Sequence, residues 1–471
     1  MVSNLWKNFP SVAELLDQKQ LKSLMDKVSH SVVVGKVKNV LDELKQEVQY
    51  AASEGQLPSV SELAERIAKR IMQEDAPTLR PVINASGVLL GSGLGSIPLA
   101  EAALEDWMAA SRDYVSLGLD SSPHGLHRVS DVETLLQEHN GAEAAVVVNN
   151  QVGAALLALT ALAGGKDVVV ARNQLGELAP GLSWHQAARQ SGVRLVEVGT
   201  MQRVSLGDYQ QAVQNQCGAV LKIFPSQFRI VGATQEVKLT ELAALNCETK
   251  PPLVVDLGCG GLKELADIGI SGEPHAAECV AAGADVVLLS GDQLLGGPAC
   301  GIVVGKRKWL EKLWSHPLYS ALQPDPRTLN ALAATLRLYR DPDRARREIP
   351  LLHFLATSPE NLRNRAERLA PQMAVSPALA MAQAVSGVTY LTSAALPSQQ
   401  LPTWCVSLRP ADGNIGRLAA SLWNGTPSVA VKVQADHLLL DLRSVFTRQD
   451  QQLVAAVLAL SKKEPTESPA N

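Results

Sequence analysis

Asp285-Val286-Val287-Leu288-Leu289-Ser290-Gly291-Asp292-Gln293-Leu294-Leu295-Gly296-Gly297-Pro298 is an apolar run that breaks into a polar, glycine-rich loop. Residues 286–290 read as a buried strand. A polar loop at the carboxyl end of such a strand is where ligands sit in open α/β sheets. Working outward, short β-rich runs alternate with helical stretches from Pro81 to about Arg340. The runs are Ala145–Asn149, Val168–Ala171, Val193–Val198, Ala219–Phe224, Leu253–Asp256 and Val286–Ser290. Val152–Ala163 and Leu239–Leu245 read as helices between them. Alternation of this kind predicts βαβ units, hence a mostly parallel sheet with helices on both faces. Gly301–Gly305 follows too closely for a crossover helix, so it is predicted to be an antiparallel neighbour.

The flanks differ in pattern. Residues 1–80 read as a helical domain, with Leu15, Leu16, Leu21, Leu24, Met25 and Val28 at helical spacing, and Val37, Val40, Leu41, Leu44 and Val48 again. Ser59 or Ser61 is expected to cap a third helix. Residues 81–340 form the large α/β domain. Residues 341–461 read as a small α+β domain, with a charged helix at Glu360–Leu369, strands at Trp404–Leu408, Ser428–Val433 and Leu438–Leu442, helices at Ile415–Leu422 and Gln451–Leu460, and a tight turn at Asp436-His437. The tail, 462–471, is predicted to be disordered. There is no internal repeat.

Composition narrows the function classes. The 471 residues are 46% hydrophobic and 19% charged, with a net charge of −4. These are globular values, and no overall basic field advertises nucleic acid. The six cysteines lie scattered without C-x-x-C or metal spacing, so free thiols in a reducing compartment are expected and no metal is. The N-terminus lacks the apolar core of a signal peptide, and Ala154–Ala163 is too short to span a bilayer. A cytoplasmic location is expected.

Residue chemistry singles out two segments. Asp256 ends the strand in Val254-Val255-Asp256-Leu257-Gly258, where a carboxylate either serves a cofactor or orders a loop or helix start. Asn149-Asn150-Gln151-Val152-Gly153 joins a strand to a helix, where backbone N–H groups can bind an anion.

The run S-G-D-x-L-L-G-G-P at 290–298 resembles the cofactor-lysine segment of bacterial selenocysteine synthase, the L-seryl-tRNA(Sec) selenium transferase family. The resemblance extends through Gly141-Ala142-Glu143-Ala144-Ala145-Val146-Val147-Val148-Asn149-Asn150, Leu195-Val196-Glu197-Val198-Gly199-Thr200, Arg229-Ile230-Val231-Gly232 and Leu438-Leu439-Leu440-Asp441-Leu442-Arg443, and so over nearly the whole chain. It implies the fold of a fold-type I pyridoxal phosphate (PLP)-dependent transferase. It also implies a PLP site in which Asp256 serves the ring nitrogen. Asn149, Asn150, Gln151, Ser226, Ser290 and Asp292 would surround the cofactor, and Arg128, Arg172 and Arg229 would meet substrate or anion. The x of the motif is the family's imine lysine. Here it is Gln293, whose amide nitrogen is no nucleophile.

Other departures fall on the loops. Where the family reads I-N-A-T-G-x-x-L-H-T-N-L-G-R, this chain has Gly91, Gly93 and Ser96 in place of His, Asn and Arg. Its S-R-G-E becomes Ala171-Arg172-Asn173-Gln174, its H-T-S-N-Y becomes Phe224-Pro225-Ser226-Gln227-Phe228, and its R-x-D-K becomes Gln323-Pro324-Asp325-Pro326. Lys222, Lys263, Lys306 and Lys308 are the lysines nearest the presumed loops, and structural or solvated roles are expected for each. Three functional readings follow. The first is a non-catalytic relative with a scaffold, regulatory or ligand-binding role, holding no PLP covalently. The second is an active selenium transferase. The third is a PLP-independent activity built on Asp256, Asp292, Arg229 and His127. A homodimer or larger homo-oligomer, weak salt-sensitive tRNA binding and a lysine-containing paralogue are the partners implied, with no membrane association.

Overall fold

The computed structural model describes residues 10–25, 28–50, 59–74, 79–91, 93–115, 131–213, 216–226, 228, 230–245, 250–392 and 399–460. The chain divides into two compact units, Met1–Pro81 and Val82–Asn471.

The first unit is helical, with helices at Val12–Leu16, Lys19–Met25, His30–Tyr50 and Val60–Glu74. Leu15, Leu21, Val33, Val37, Leu63 and Ile67 close its core. Ser59 caps the last helix: its Oγ accepts from Glu62 N at 3.3 Å, and Glu62 Oε2 accepts from Ser59 N at 2.8 Å. This reciprocal pair satisfies donors that the first helical turn leaves open.

The second unit holds fourteen strands among the described residues: β1 (Val82–Ala85), β2 (Ala144–Val148), β3 (Asp167–Ala171), β4 (Glu177–Ala179), β5 (Leu182–Ser183), β6 (Arg194–Val198), β7 (Cys217–Ile223), β8 (Leu253–Asp256), β9 (Val286–Ser290), β10 (Gly301–Gly305), β11 (Leu379–Tyr390), β12 (Gln400–Pro410), β13 (Ser428–Gln434) and β14 (His437–Asp441). Seven form the main sheet in the order β2-β10-β9-β8-β7-β3-β6. Within it β10 alone is antiparallel to its neighbours. Every residue of β2, β7, β8, β9 and β10 is buried, as expected of a sheet covered on both faces.

Alternation assigns each strand residue to a face. Ala145, Val147, Val169, Val220, Val255, Val287 and Leu289 join one core with the helices Glu101–Arg112, Asp131–Asn140 and Pro326–Leu338. Val146, Val148, Val168, Val170, Leu221, Ile223, Val254 and Leu288 join the other, beneath the helix Gln151–Ala163. This helix is nearly apolar because the sheet and the neighbouring helices cover it. Its length of 13 residues suits a buried core helix. No helix among the described residues is long and apolar enough to cross a membrane.

A second sheet runs β1-β13-β14-β12-β11, with β1 parallel to β13 and the other pairs antiparallel. The helices Pro359–Met373, Ile415–Asn424 and Asp450–Leu458 pack on it. Three features depart from the sequence reading, the third being the turn expected at Asp436-His437. Val82–Ala85, grouped by sequence with the large α/β region, is hydrogen-bonded into this sheet, and β11 is an additional edge strand. The β13–β14 turn is Ala435-Asp436, and His437 is the first residue of β14. Ala435 takes φ +46° there. The tail 462–471 lies outside the described residues. Cys217, Cys259, Cys279, Cys300 and Cys405 are buried and in no disulfide among the described residues, and Cys247 lies outside the described residues.

Candidate active site

The parallel strands point their carboxyl ends to one edge of the main sheet, and the loops leaving them carry the polar residues. After β2, Asn150 caps the helix Gln151–Ala163, its Oδ1 accepting from Gly153 N at 2.7 Å. Asn149 N donates to Leu322 O at 2.8 Å, bringing the neighbouring Gln323 beside it. After β7, Ser226 Oγ accepts from Cys259 N at 2.5 Å. Gly258 sits at φ +58° against Ser226 and the Phe224 carbonyl, and any Cβ there would strike both.

Asp256 closes β8 and is 2% exposed. It lies on the same face of the sheet as Val254, under the helix that Gln151 begins. Gln151 Nε2 donates to Asp256 Oδ2 at 3.0 Å, and Gly258 N donates to Oδ1 at 2.9 Å. Gln151 Nε2 also reaches the Gly258 carbonyl at 3.3 Å. Burial pushes the Asp256 carboxyl up to about 6, against the pull of these two donors. Asp256 therefore orders its own loop and also presents a desolvated carboxyl at the strand end.

The loop after β9 completes the edge. Ser290 Oγ donates to Asp292 Oδ1 at 2.6 Å, and Ser96 Oγ donates to Asp292 Oδ2 at 2.8 Å. Gly297 N to Gly291 O at 2.7 Å and Leu294 N to Cys259 O at 3.3 Å fold this loop onto itself and onto the loop after β8. Tyr339 braces it from below, its hydroxyl donating to Leu295 O at 2.7 Å. Gln293 is half-buried, and its carbonyl accepts from Gly296 N at 2.8 Å. Its side-chain amide has no hydrogen bond among the described residues.

The four lysines weighed as substitutes for an imine lysine lie elsewhere. Lys222 pairs across the strands with Val255, so it occupies the face opposite Asp256. It is 4% exposed and donates to Glu236 Oε2 at 2.9 Å. Lys306 pairs with Asp285 Oδ1 at 2.8 Å, at the amino end of β9. Lys308 lies over the Trp309 ring at 4.9 Å. Lys263 acts on Glu138 and His139 of the helix Asp131–Asn140.

Among the residues expected to meet anions, Arg172 carries an ion pair: its Nε donates to Glu197 Oε2 at 2.9 Å, and Glu197 also accepts from His185 at 2.9 Å. The cation expected at this loop is thus balanced by a carboxylate of the edge strand β6. Arg128, Arg229 and His127 lie outside the described residues. Asn173, adjoining Arg172, was not foreseen as a site residue. It is 2% exposed, and neither its Nδ2 nor its Oδ1 has a hydrogen-bond partner among the described residues. Its only trace in the sequence is the departure from S-R-G-E. Gln174 is also buried, and its Oε1 accepts from Ile223 N at 3.0 Å.

Residues 82–446 match the model of the L-seryl-tRNA selenium transferase family. The chain belongs to this family. An L-seryl-tRNA(Sec) selenium transferase of Moorella thermoacetica is 40% identical over 461 residues, 97% of each chain. That of Geobacter sulfurreducens is 36% identical over 97% of this chain and 99% of the relative, and that of Yersinia enterocolitica 36% over 93% and 96%. The solved structure of D-glucosaminate-6-phosphate ammonia-lyase superposes with a TM-score of 0.57 at 18% identity, covering 82% of this chain and 96% of the other. The architecture is that of fold-type I PLP-dependent transferases.

The residues present fit only part of a PLP site. Asp256 is placed and desolvated as a partner for a protonated ring nitrogen. Gln293 supplies no amine for the imine, Lys222 occupies the opposite face of the sheet, and Lys306 lies at the amino end of β9. Covalent attachment of the cofactor through position 293 does not fit the residue present there.

Proposed function

We propose that this protein is a catalytically degenerate member of the selenocysteine synthase family that keeps the cleft as a ligand-binding scaffold and holds no PLP through an imine. Gln293, in the loop that faces the Asp256 strand end, carries this reading. A primary amide can neither condense with an aldehyde nor act as a base at neutral pH, so both tasks of the family's lysine are lost. Lys222 cannot substitute by rotation, because β-strand alternation directs it to the far face of the sheet.

The polar substitutions around Gln293 act in the same direction. Ser96 replaces a cation and bonds Asp292, and Gln323 replaces another beside Asn149. Each charge-assisted hydrogen bond to an anion is worth about 1.5–3 kcal/mol, so losing two lowers anion affinity by roughly 10²–10⁴. The cleft suits a ligand held by Asp256, Gln151 and the loop backbone in place of a phosphate held by arginines. The expected setting is the cytoplasm, as a homodimer or larger homo-oligomer, with weak salt-sensitive tRNA binding at most and a lysine-containing relative as candidate partner.

The test is direct. The full chain is mixed with PLP, scanned for imine absorbance, reduced with borohydride and weighed by mass spectrometry. No adduct is expected, whereas Gln293→Lys is expected to trap one PLP per chain. A stoichiometric adduct on the natural chain overturns the proposal. A second reading, a working selenium transferase, draws on the 40% identity to relatives bearing that name. Selenocysteinyl-tRNA formed above background from seryl-tRNA(Sec) and selenophosphate would establish it.

A further inference from the structure

We propose that the C-terminal region carries a second binding site, for a phosphorylated small molecule of about nucleotide size, in the cavity between the helices Pro350–Ala356 and Pro359–Met373. The cavity holds about 650 Å³, within the range of small-ligand pockets. It shares no lining residue with the cleft at Asp256. Arg346, Arg347, Arg365, Arg368 and Arg443 line it, and no aspartate or glutamate does.

The neighbouring carboxylates balance these cations only in part. Arg365 and Arg368 share the single carboxylate of Asp450, at 2.8 and 2.7 Å. Arg346 pairs with Asp267 and, at 3.6 Å, with Asp343. Arg347 is exposed and makes no ion pair among the described residues. Arg443 is 2% exposed, and its guanidinium donates only to carbonyls: Phe354 at 2.8 Å, Leu355 at 3.1 Å, Thr357 at 2.8 Å and Pro402 at 2.7 Å. Its Nε has no acceptor among the described residues. Asp441 acts on it through space but does not bond the guanidinium, its oxygens being engaged by the hydroxyls of Thr389 and Thr403 and by the Arg443 backbone N–H.

A buried cation bonded only to neutral acceptors is costly unless a counter-charge approaches. An anion seated in the cavity supplies that charge. Phosphoryl groups match it best, since guanidinium forks bind their oxygens in pairs. The cavity's concavity and the buried position of Arg443 favour a compact ligand over the phosphodiester backbone of an RNA, which needs an open track.

Isothermal titration of the full chain with pyrophosphate, and with ADP, tests the proposal. Saturable binding of one ligand per chain is expected, with ADP displacing pyrophosphate. Arg347→Gln and Arg368→Gln, both on exposed side chains, are expected to weaken binding about tenfold each. Asp256→Asn, in the other cleft, is expected to leave it unchanged. Absence of saturable binding for both ligands overturns the site. So does weakening by Asp256→Asn without an effect of the arginine substitutions. A short single-stranded RNA that binds more tightly than ADP and displaces pyrophosphate overturns the small-molecule assignment.

Discussion

Asp256→Asn separates the stability of this fold from the chemistry its cleft descends from. The natural carboxyl is fully buried, and its pKa rises from the usual 3.8 to about 6. The sign follows from linkage. Between these values the folded chain binds the proton more tightly than the unfolded chain does. Stability from this group is therefore complete below about pH 4 and is lost as pH rises through about 6. Each pKa unit corresponds to about 1.4 kcal/mol, so the ionised carboxylate costs the fold about 3 kcal/mol at neutral pH. Asparagine removes the charge and still accepts from Gly258 N. Its amide faces Gln151, which must turn to accept and give up the 3.3 Å bond to the Gly258 carbonyl, a loss of about 1 kcal/mol. A protonated aspartic acid meets Gln151 in the same way, so the two chains are near equal in acid. Urea unfolding at about pH 4 and about pH 8 reads the difference. Asp256→Asn is expected to match the natural chain at the lower pH and to exceed it by about 2–3 kcal/mol at the higher. A difference independent of pH, or a less stable variant at about pH 8, refutes the reasoning. Other carboxylates cancel in the comparison because only one residue changes.

Three further outcomes are expected. Asp450→Leu leaves Arg365 and Arg368 without their shared carboxylate in a site where Asp450 is only 5% exposed; breaking such a buried pair costs about 3–5 kcal/mol, read as a lower urea midpoint. Tyr339→Phe removes the hydroxyl that donates to Leu295 O and is expected to destabilise by about 1 kcal/mol, with amide exchange rising first in the 291–298 loop. Asp325 caps the helix Pro326–Leu338 and pairs with Arg327 at 2.6 Å, which holds its carboxyl down at about 2. Its contribution is present above about pH 4 and fades as pH falls towards 2. Asp325→Ala is expected to cost about 1 kcal/mol at neutral pH and almost nothing near pH 2, by the same unfolding assay.

The main sheet was legible because its strands are continuous apolar runs bounded by polar loops, which two-sided burial demands. Val286–Ser290 and Leu253–Asp256 were placed to the residue, and the antiparallel β10 followed from loop length alone. β11 was not legible. Leu379–Tyr390 is rich in Ala, Ser and Gly, which are poor strand formers, and its residues are mostly half-exposed. Only pairing with β12 over nearly its whole length defines it. β1 was invisible for another reason: its register with Ser428–Val431 joins segments at opposite ends of the second unit, and no local pattern encodes a partner that distant. Within the site, Asp256 and Gln293 were readable from motif and strand position. The Gln151 contact and the counter-ion of Arg172 were not, because both depend on side chains brought together from elements distant in sequence.

The spatial arrangement also explains why the departures from the family pattern belong together. Ser96, Gln174, Phe224 and Gln323 are scattered over the sequence, yet each touches the carboxyl edge of the sheet: Ser96 on Asp292, Gln174 on the end of β7, Phe224 N on Asp256 O at 2.9 Å, and Gln323 beside Asn149. Gly91 and Gly93 take φ +66° and +80°, a backbone that the histidine and asparagine of the family pattern adopt less readily than glycine. Random drift on a fold maintained only for stability would distribute substitutions over the surface, where most are tolerated. Here the apolar faces of β2, β3, β7, β8 and β9 persist while the edge loses cations and its amine, and the costly buried Asp256 remains. On the proposed reading, a residue that destabilises the fold beside the missing lysine is kept for a ligand that needs the carboxyl but no covalent bond.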